Sequence, residues 1–466
     1  MARAATSLEP PTSILIVGCG CFGASTALSL IRGKYVNHAQ LITILDRSAT
    51  PPEVDAASSD INKIVRQDYA DTLYASLALQ AIERWRTDPL YESNFSECGV
   101  VVAAHKGTKN EVYVNKSYEL NRSEQMSSKA GKKVWVLDGV RMWKDVYGRV
   151  PRIAEREEIE SNAACEFYAK EVGEINSSVL LLKDDSLSST DYNEAGGWAD
   201  SRQAVVDVVS ILRSSGVHFV QGEAQTLVHA TNSNDVKGVE LIDGRTLNAD
   251  LTILASGAWT SQLLPELGHD LVPTGQAVGT IQLDESEAEL YRDAPVSLFL
   301  DTGFYSFPPT KTGLVKFAIH SAGFINPTAQ LPSTPRTILT PGYETQQIPL
   351  SARVQLIEQL DRVYPGLKGR EWTGSRLCWY TDRKTGDWLI DYDPSRKGLF
   401  VASGGSGHAF KFFPILGDLV LRRLEGTLRE EAMRVWSWTG VEGRMDKSRE
   451  GRETSQLLES NREAKL

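Results

Sequence analysis

The chain has 466 residues, 41% hydrophobic and 24% charged, with 37 Gly, 19 Pro, 10 Trp, 5 Cys and a net charge of −10. At roughly 150 residues per domain this is the length and composition of two to three globular domains, which excludes wholesale disorder, collagen-like and disulfide-scaffold proteins. The acidic balance argues against nucleic acid as a partner of the whole chain, and no run approaches the ~18 apolar residues of a membrane span.

Residues 13–17 (Ser-Ile-Leu-Ile-Val) form a β-branched apolar run that predicts a short buried strand, followed at once by Gly18-Cys19-Gly20-Cys21-Phe22-Gly23. Residues 24–31 have helix-forming character, and residues 41–45 are a second apolar run that ends at Asp46-Arg47. Strand, glycine-rich turn, helix, strand and acid is the order of a dinucleotide-binding unit. A lone G-x-G-x-x-G is weak evidence; its place between a strand and a helix, with an acid closing the next strand, is what gives it weight. Gly18, Gly20 and Gly23 let the backbone approach a pyrophosphate, the helix start supplies N–H donors, and Asp46 can accept hydrogen bonds from a ribose.

Residues 90–190 and 270–370 carry alternating, aromatic-rich runs, such as 296–307 and 314–320, that predict half-buried antiparallel strands. Between them, residues 201–213 are apolar at helical spacing, 217–220 read as a strand, and 239–247 as a hairpin turning at Asp243-Gly244. Residues 250–254 predict a buried strand running into Ala255-Ser256-Gly257-Ala258-Trp259, and 398–403 another feeding Gly404-Gly405-Ser406-Gly407-His408. The expected fold class is therefore α/β plus β-rich. A Rossmann-like domain, discontinuous in sequence, takes residues 1–90, 191–268 and 371–440; an antiparallel-sheet substrate domain takes 91–190 and 269–370; a charged tail takes 441–466. The fingerprint does not separate NAD from FAD, but the two later glycine-rich strand ends suit a deeply threaded cofactor, which favours FAD. Cys19, Cys21, Cys98, Cys165 and Cys378 are odd in number and lack CxxC spacing, against both a disulfide framework and a structural zinc site. Residues 1–11 lack the apolar core of a signal peptide, so an intracellular, soluble protein is expected.

Together these segments resemble the amine-oxidising flavoenzymes of the D-amino-acid-oxidase superfamily, in the branch of monomeric sarcosine oxidase and pipecolate oxidase. They resemble still more closely the fungal oxidases of saccharopine, pipecolate and fructosyl amino acids. The resemblance spans about residues 14–425. It rests on the fingerprint, Ser58-Ser-Asp-Ile-Asn-Lys-Ile-Val-Arg66, Gly197-Trp198-Ala199, Leu377-Cys378-Trp379-Tyr380-Thr381 and Ser406-Gly407-His408-Ala409-Phe410-Lys411. It implies a glutathione-reductase-type FAD domain, with FAD held by Gly18, Gly20, Cys21, Phe22, Gly23, Asp46 and Arg47, then by Ser58, Ser59, Asn62, Lys63 and Ile64. Further along the chain it implies Gly257, Trp259, Gly405, Ser406, Gly407, His408 and Lys411. It also implies a thioether between Cys378, on the loop leading to Asp387, and the flavin's 8-methyl carbon.

Oxidising an amino acid at its C–N bond moves a hydride equivalent to the flavin and then electrons to dioxygen, yielding hydrogen peroxide and a hydrolysable imine. The protein must fix the carboxylate, keep the amine dry and stabilise negative charge during oxygen reduction. The resemblance implies Arg66 and Lys411 as the carboxylate clamp. It places Lys63 near the flavin, about one turn before Arg66 if the segment is helical, on a loop one residue longer than in sarcosine oxidase. Lys316 stands mid-strand among apolar residues and shares a face with Ala318 and His320 on period-2 alternation. The resemblance gives Lys316 to oxygen activation and His320 to the active site, with Tyr305 and Tyr380 as an aromatic enclosure for the amine. In fructosyl amino acid oxidases the position of His408 is often Arg, so the histidine here favours saccharopine, pipecolate or an N-alkyl amino acid. A deglycating fructosyl amino acid oxidase, an amine-oxidising tailoring enzyme of secondary metabolism and a flavin-binding scaffold or sensor without turnover are the alternatives. Ala464-Lys465-Leu466 matches a peroxisomal address. The expected partners are the amino acid, dioxygen and the import receptor, with no metal, and the chain is expected to act as a monomer.

Overall fold

The computed structural model describes residues 8–10, 12–105, 107–123, 134–137, 189–343, 347–440 and 454–457. Cys165, Ala464-Lys465-Leu466, much of the expected β-rich stretch before residue 190 and most of the 441–466 tail lie outside the described residues.

The apolar runs Ile14–Val17, Ile42–Asp46, Leu251–Leu254 and Leu399–Ser403 pair in parallel, an arrangement that needs both faces covered. His218–Gln221 joins one edge in parallel and Leu389–Tyr392 the other antiparallel, making a six-stranded sheet. Strand alternation divides the burial. Ile14 and Ile16 pack with the helices Cys21–Arg32, Ser201–Ser214 and Phe413–Leu424, while Leu15 and Val17 pack on a three-stranded sheet of Ala224–His229, Val236–Leu241 and Thr246–Asn248. Each fully buried aliphatic chain in these layers contributes roughly 1.5–3 kcal/mol. The expected hairpin is the second half of the three-stranded sheet, with Gly244 at φ 83° in its turn. The first helix starts earlier than expected, directly on the glycine turn, with Gly20 as its N-cap.

A second, ten-stranded sheet is antiparallel except at two pairings. Its spine is Leu271–Gln282, paired with Gly374–Arg383 from Leu271↔Arg383 to Thr280↔Gly374, and with Leu314–Ile319 through Thr280↔Lys316. Phe304–Ser306, Val296–Phe299, Val100–Ala104 and Ser189–Asn193 follow in order. The expected strands at 296–307 and 314–320 are present, the first as a hairpin. Two expectations are corrected. Cys378 lies mid-strand rather than on a loop, because the ladder with Leu271–Gln282 holds the whole segment Gly374–Arg383, which belongs to this sheet and not to the nucleotide-binding one. Lys63–Val65 is a strand and not a helix, because it pairs antiparallel with Gly197–Ala199; Lys63 and Arg66 are therefore not stacked one turn apart.

Alternation also sets which side chains meet. Phe317, Leu377 and Trp379 pack on the helix Leu350–Val363 on one face of this sheet. On the other face Ala318, Cys378 and Tyr305 pack against Ala57, Ile64 and Trp198. Among the described residues no helix is long and apolar enough to cross a membrane.

Candidate active site

A cavity of about 360 Å³ opens at the carboxyl ends of Ile14–Val17 and Ile42–Asp46. Gly18, Gly20, Cys21 and Phe22 line it at the helix start, where no side chain caps the first turn, so its N–H groups are left for a bound anion. Gly18 is at φ 100°, and a Cβ on Gly23 would stand 1.9 Å from the Gly18 carbonyl oxygen; that close approach is what the third glycine is for. Asp46 accepts from the Cys19 N–H at 2.7 Å and the Ser48 N–H at 2.9 Å, and burial pushes its carboxyl above the ordinary value. The Arg47 guanidinium lies 4.3 Å from the centre of the Trp259 ring, and both line the cavity with Ser58, Gly257, Gly405 and Gly407. The strand end Ala255–Trp259 and the glycine turn after residue 403 thus reach the same cavity as the N-terminal fingerprint.

A smaller pocket adjoins it, sharing Lys63, Tyr380, Gly407 and Phe410 with the cavity wall. Arg66, Lys411, Lys316, His320 and Tyr305 line it, so residues read separately from the sequence converge here. No acidic side chain is among its described lining residues. Lys411 Nζ donates to Tyr69 Oη at 2.7 Å, the Arg66 guanidinium lies 5.4 Å from the Tyr69 ring centre, and Arg66 also donates to the main-chain oxygen of Asp68. Tyr305 hydrogen-bonds Tyr380, and burial holds its hydroxyl well above the usual range.

Some expected cofactor residues sit elsewhere. His408 and Ile64 line the smaller pocket rather than the cavity; His408 Nδ1 lies 3.0 Å from Tyr69 Oη and its Nε2 3.2 Å from the Gly386 oxygen. Ser59 accepts from Arg202 Nη1 at 2.6 Å and faces a separate cleft, and Ser406 accepts from the Arg383 N–H at 3.1 Å, holding the turn. Asn62 is fully buried and neither amide atom has a hydrogen-bond partner, an arrangement that costs about 1–3 kcal/mol unless a bound group satisfies it. Cys378 is buried behind the cavity wall and does not line either space. Its Sγ accepts from Lys63 Nζ at 3.5 Å and lies 3.9 Å from the oxygen of Ala57, a cavity-lining residue.

Three residues escaped the sequence reading. Asp60 accepts from Lys316 Nζ at 2.7 Å and Lys63 Nζ at 2.5 Å. Arg376 runs under the same cluster, and Tyr69 ties Lys411 to His408. The available signal was the buried charge of Lys316, which requires a carboxylate somewhere. Burial would raise the Asp60 carboxyl, but Lys316, Lys63 and Arg376 hold it far below the ordinary value. Burial pulls the Lys316 ammonium down to about 8, with Asp60 opposing and Lys63 adding to the fall; burial also works against Lys63, but Asp60, Cys378 and Tyr380 raise it.

A bare helix start and a cavity lined by several glycines fit a dinucleotide cofactor. The family profile described as FAD dependent oxidoreductase matches residues 13–423. The chain belongs to the FAD dependent oxidoreductase family. Relatives of this FAD dependent oxidoreductase include the L-saccharopine oxidase of Schizosaccharomyces pombe, 30% identical over 440 residues and covering 91% of this chain and 93% of the relative. The monomeric sarcosine oxidase of Bacillus sp. (strain NS-129) is 23% identical, covering 87% of this chain and 90% of its own. The solved fructosyl peptide oxidase of E. terrenum superposes with a TM-score of 0.77 at 26% identity, covering 98% of both chains. The present chain is an FAD-dependent oxidoreductase acting on the C–N bond of an amine donor.

Proposed function

We propose that this protein oxidises an amino acid bearing a secondary amine, of the saccharopine, pipecolate or N-alkyl type, to the imine, with dioxygen reduced to hydrogen peroxide. The observation that carries this reading is the basic pocket, with no acidic side chain among its described lining residues, joined to the cofactor cavity through Lys63, Tyr380, Gly407 and Phe410. FAD, when bound, accepts the hydride equivalent and passes the electrons on to oxygen. Lys411 and Arg66 bind the substrate carboxylate, as a point charge and a planar two-pronged donor. Tyr305 and Tyr380 form an aromatic wall that excludes water from the amine, and Lys316 offers an ammonium where negative charge develops as oxygen is reduced. Cys378, whose Sγ accepts from Lys63 Nζ at 3.5 Å and lies 3.9 Å from the oxygen of cavity-lining Ala57, is the proposed attachment point of the flavin through a thioether. Its formation would take one hydrogen each from the thiol and the methyl group, the two electrons passing by way of the flavin to dioxygen.

A second reading, deglycation of a fructosyl amino acid, is favoured by the close superposition on the fructosyl peptide oxidase. Peroxide release from saccharopine, pipecolate, sarcosine and fructosyl-valine separates the two. Turnover of at least one of the first three, in preference to fructosyl-valine, is the expected result. Peroxide from fructosyl-valine alone makes the protein a deglycating enzyme, and peroxide from none of them makes a tailoring oxidase the better reading.

A further inference from the structure

We propose that Asp60 is a positioning residue for the oxygen-reducing half of the reaction: one carboxylate oxygen, shared by Lys63 and Lys316, fixes the Lys316 ammonium at the pocket and keeps it charged. The proposal rests on the role given to Lys316 above. Lys316 is fully buried in the strand Leu314–Ile319, where an uncompensated ammonium would be strongly disfavoured. Its Nζ donates to Asp60 Oδ2 at 2.7 Å and to the main-chain oxygen of Asn62 at 2.7 Å, and lies 4.9 Å from the Phe307 ring centre.

Asp60 is itself held from several sides. Its Oδ1 accepts from the Ile61 N–H at 2.9 Å, and its main-chain oxygen accepts from Ser201 Oγ at 2.8 Å and the Arg202 N–H at 3.1 Å. The carboxylate is therefore a fixed point to which Lys316 is tied, rather than a side chain that follows it.

The groups facing Lys316 are Asp60 and Lys63 from the segment before Arg66, Cys378 and Tyr380 from Gly374–Arg383, Tyr305 from the hairpin, and His320 just after its own strand, with Arg376 acting on Asp60 from the far side. Asp60 is the one carboxylate among them. With its charge removed, Lys316 keeps the Asn62 main-chain oxygen but loses the carboxylate that offsets Lys63 and its burial, and the ammonium loses its proton at lower pH.

Asp60→Asn in the holoenzyme tests this, because the amide keeps an acceptor oxygen and drops the charge. The rate of reoxidation by dioxygen, which needs the ammonium, should fall away at a pH lower by about one unit or more than in the parent enzyme. At the midpoint of the parent transition a one-unit fall is a loss of about fivefold, with anaerobic reduction by substrate changed much less. A readout independent of turnover is the visible spectrum of the oxidised enzyme titrated with base. The transition that disappears in Lys316→Met should move down in Asp60→Asn by the same amount, and Asp60→Glu should restore most of it. Should Asp60→Asn not accumulate, Lys63→Met gives the converse: with Asp60 Oδ2 left to Lys316 alone, the transition should move up. Transitions unmoved in Asp60→Asn, or lowered in Lys63→Met, overturn the proposal while leaving the role of Lys316 standing. A Lys316→Met enzyme reoxidised at the parent rate overturns both.

Discussion

Lys316→Met should slow reoxidation of the reduced enzyme by dioxygen by about 100-fold or more, the loss typical of removing one preorganised charge from a dry site. Anaerobic reduction by substrate should change only a few-fold. The two half-reactions use different parts of the pocket. Reduction depends on how Arg66 and Lys411 hold the carboxylate and how Tyr305 and Tyr380 enclose the amine. Reoxidation forms negative charge on oxygen beside a fully buried ammonium, where a low dielectric makes the charge count most. Methionine keeps most of the side-chain volume, and Asp60 retains Lys63 as a partner, so the substitution does not strand a buried carboxylate. Stopped-flow mixing of reduced enzyme with oxygenated buffer reads the effect directly; equal slowing of both half-reactions would remove the oxygen role from Lys316.

The second large effect concerns Cys378. Acid precipitation of the parent protein should leave the yellow chromophore in the pellet, and of Cys378→Ser should release it to the supernatant. The thiol sits in a cluster with Val278, Leu298 and Ala318, which by itself describes an ordinary buried cysteine. What sets it apart is the company of its sulfur: Lys63 Nζ at 3.5 Å, and Ala57, which lines the cavity. A parent protein that gives up its colour to acid returns Cys378 to the core and leaves the cofactor held by noncovalent contacts alone.

The parts of this molecule that were legible in the sequence are those whose signal is local. Ile14–Val17, Ile42–Asp46 and Leu251–Leu254 are mostly buried on both faces, so they read as largely apolar runs, and the glycine turn between strand and helix has a fixed spacing. Lys316 stands out as a charge flanked by apolar residues in the middle of a strand. What escaped depends on pairing across long separations. Lys63–Val65 is extended because Gly197–Ala199 pairs with it, and Cys378 lies in a strand because Gln276 faces it. Asp60 meets Lys316 across 256 residues, a contact that no local pattern encodes. The convergence of Arg66, His320 and Lys411 on one pocket was available only through the family resemblance, since their spacing in the chain carries no motif.

Passage of electrons from an amino acid to dioxygen through the bound flavin is the central expectation. The direct measurement is an anaerobic titration of the purified holoenzyme with saccharopine, pipecolate and sarcosine, followed by admission of air. Bleaching of the flavin bands by one of these amino acids, with full recovery of colour and about one peroxide per flavin on reoxygenation, is the predicted result. Flavin bands unchanged by all three amino acids, or bleached only by a reduced nicotinamide, would contradict it.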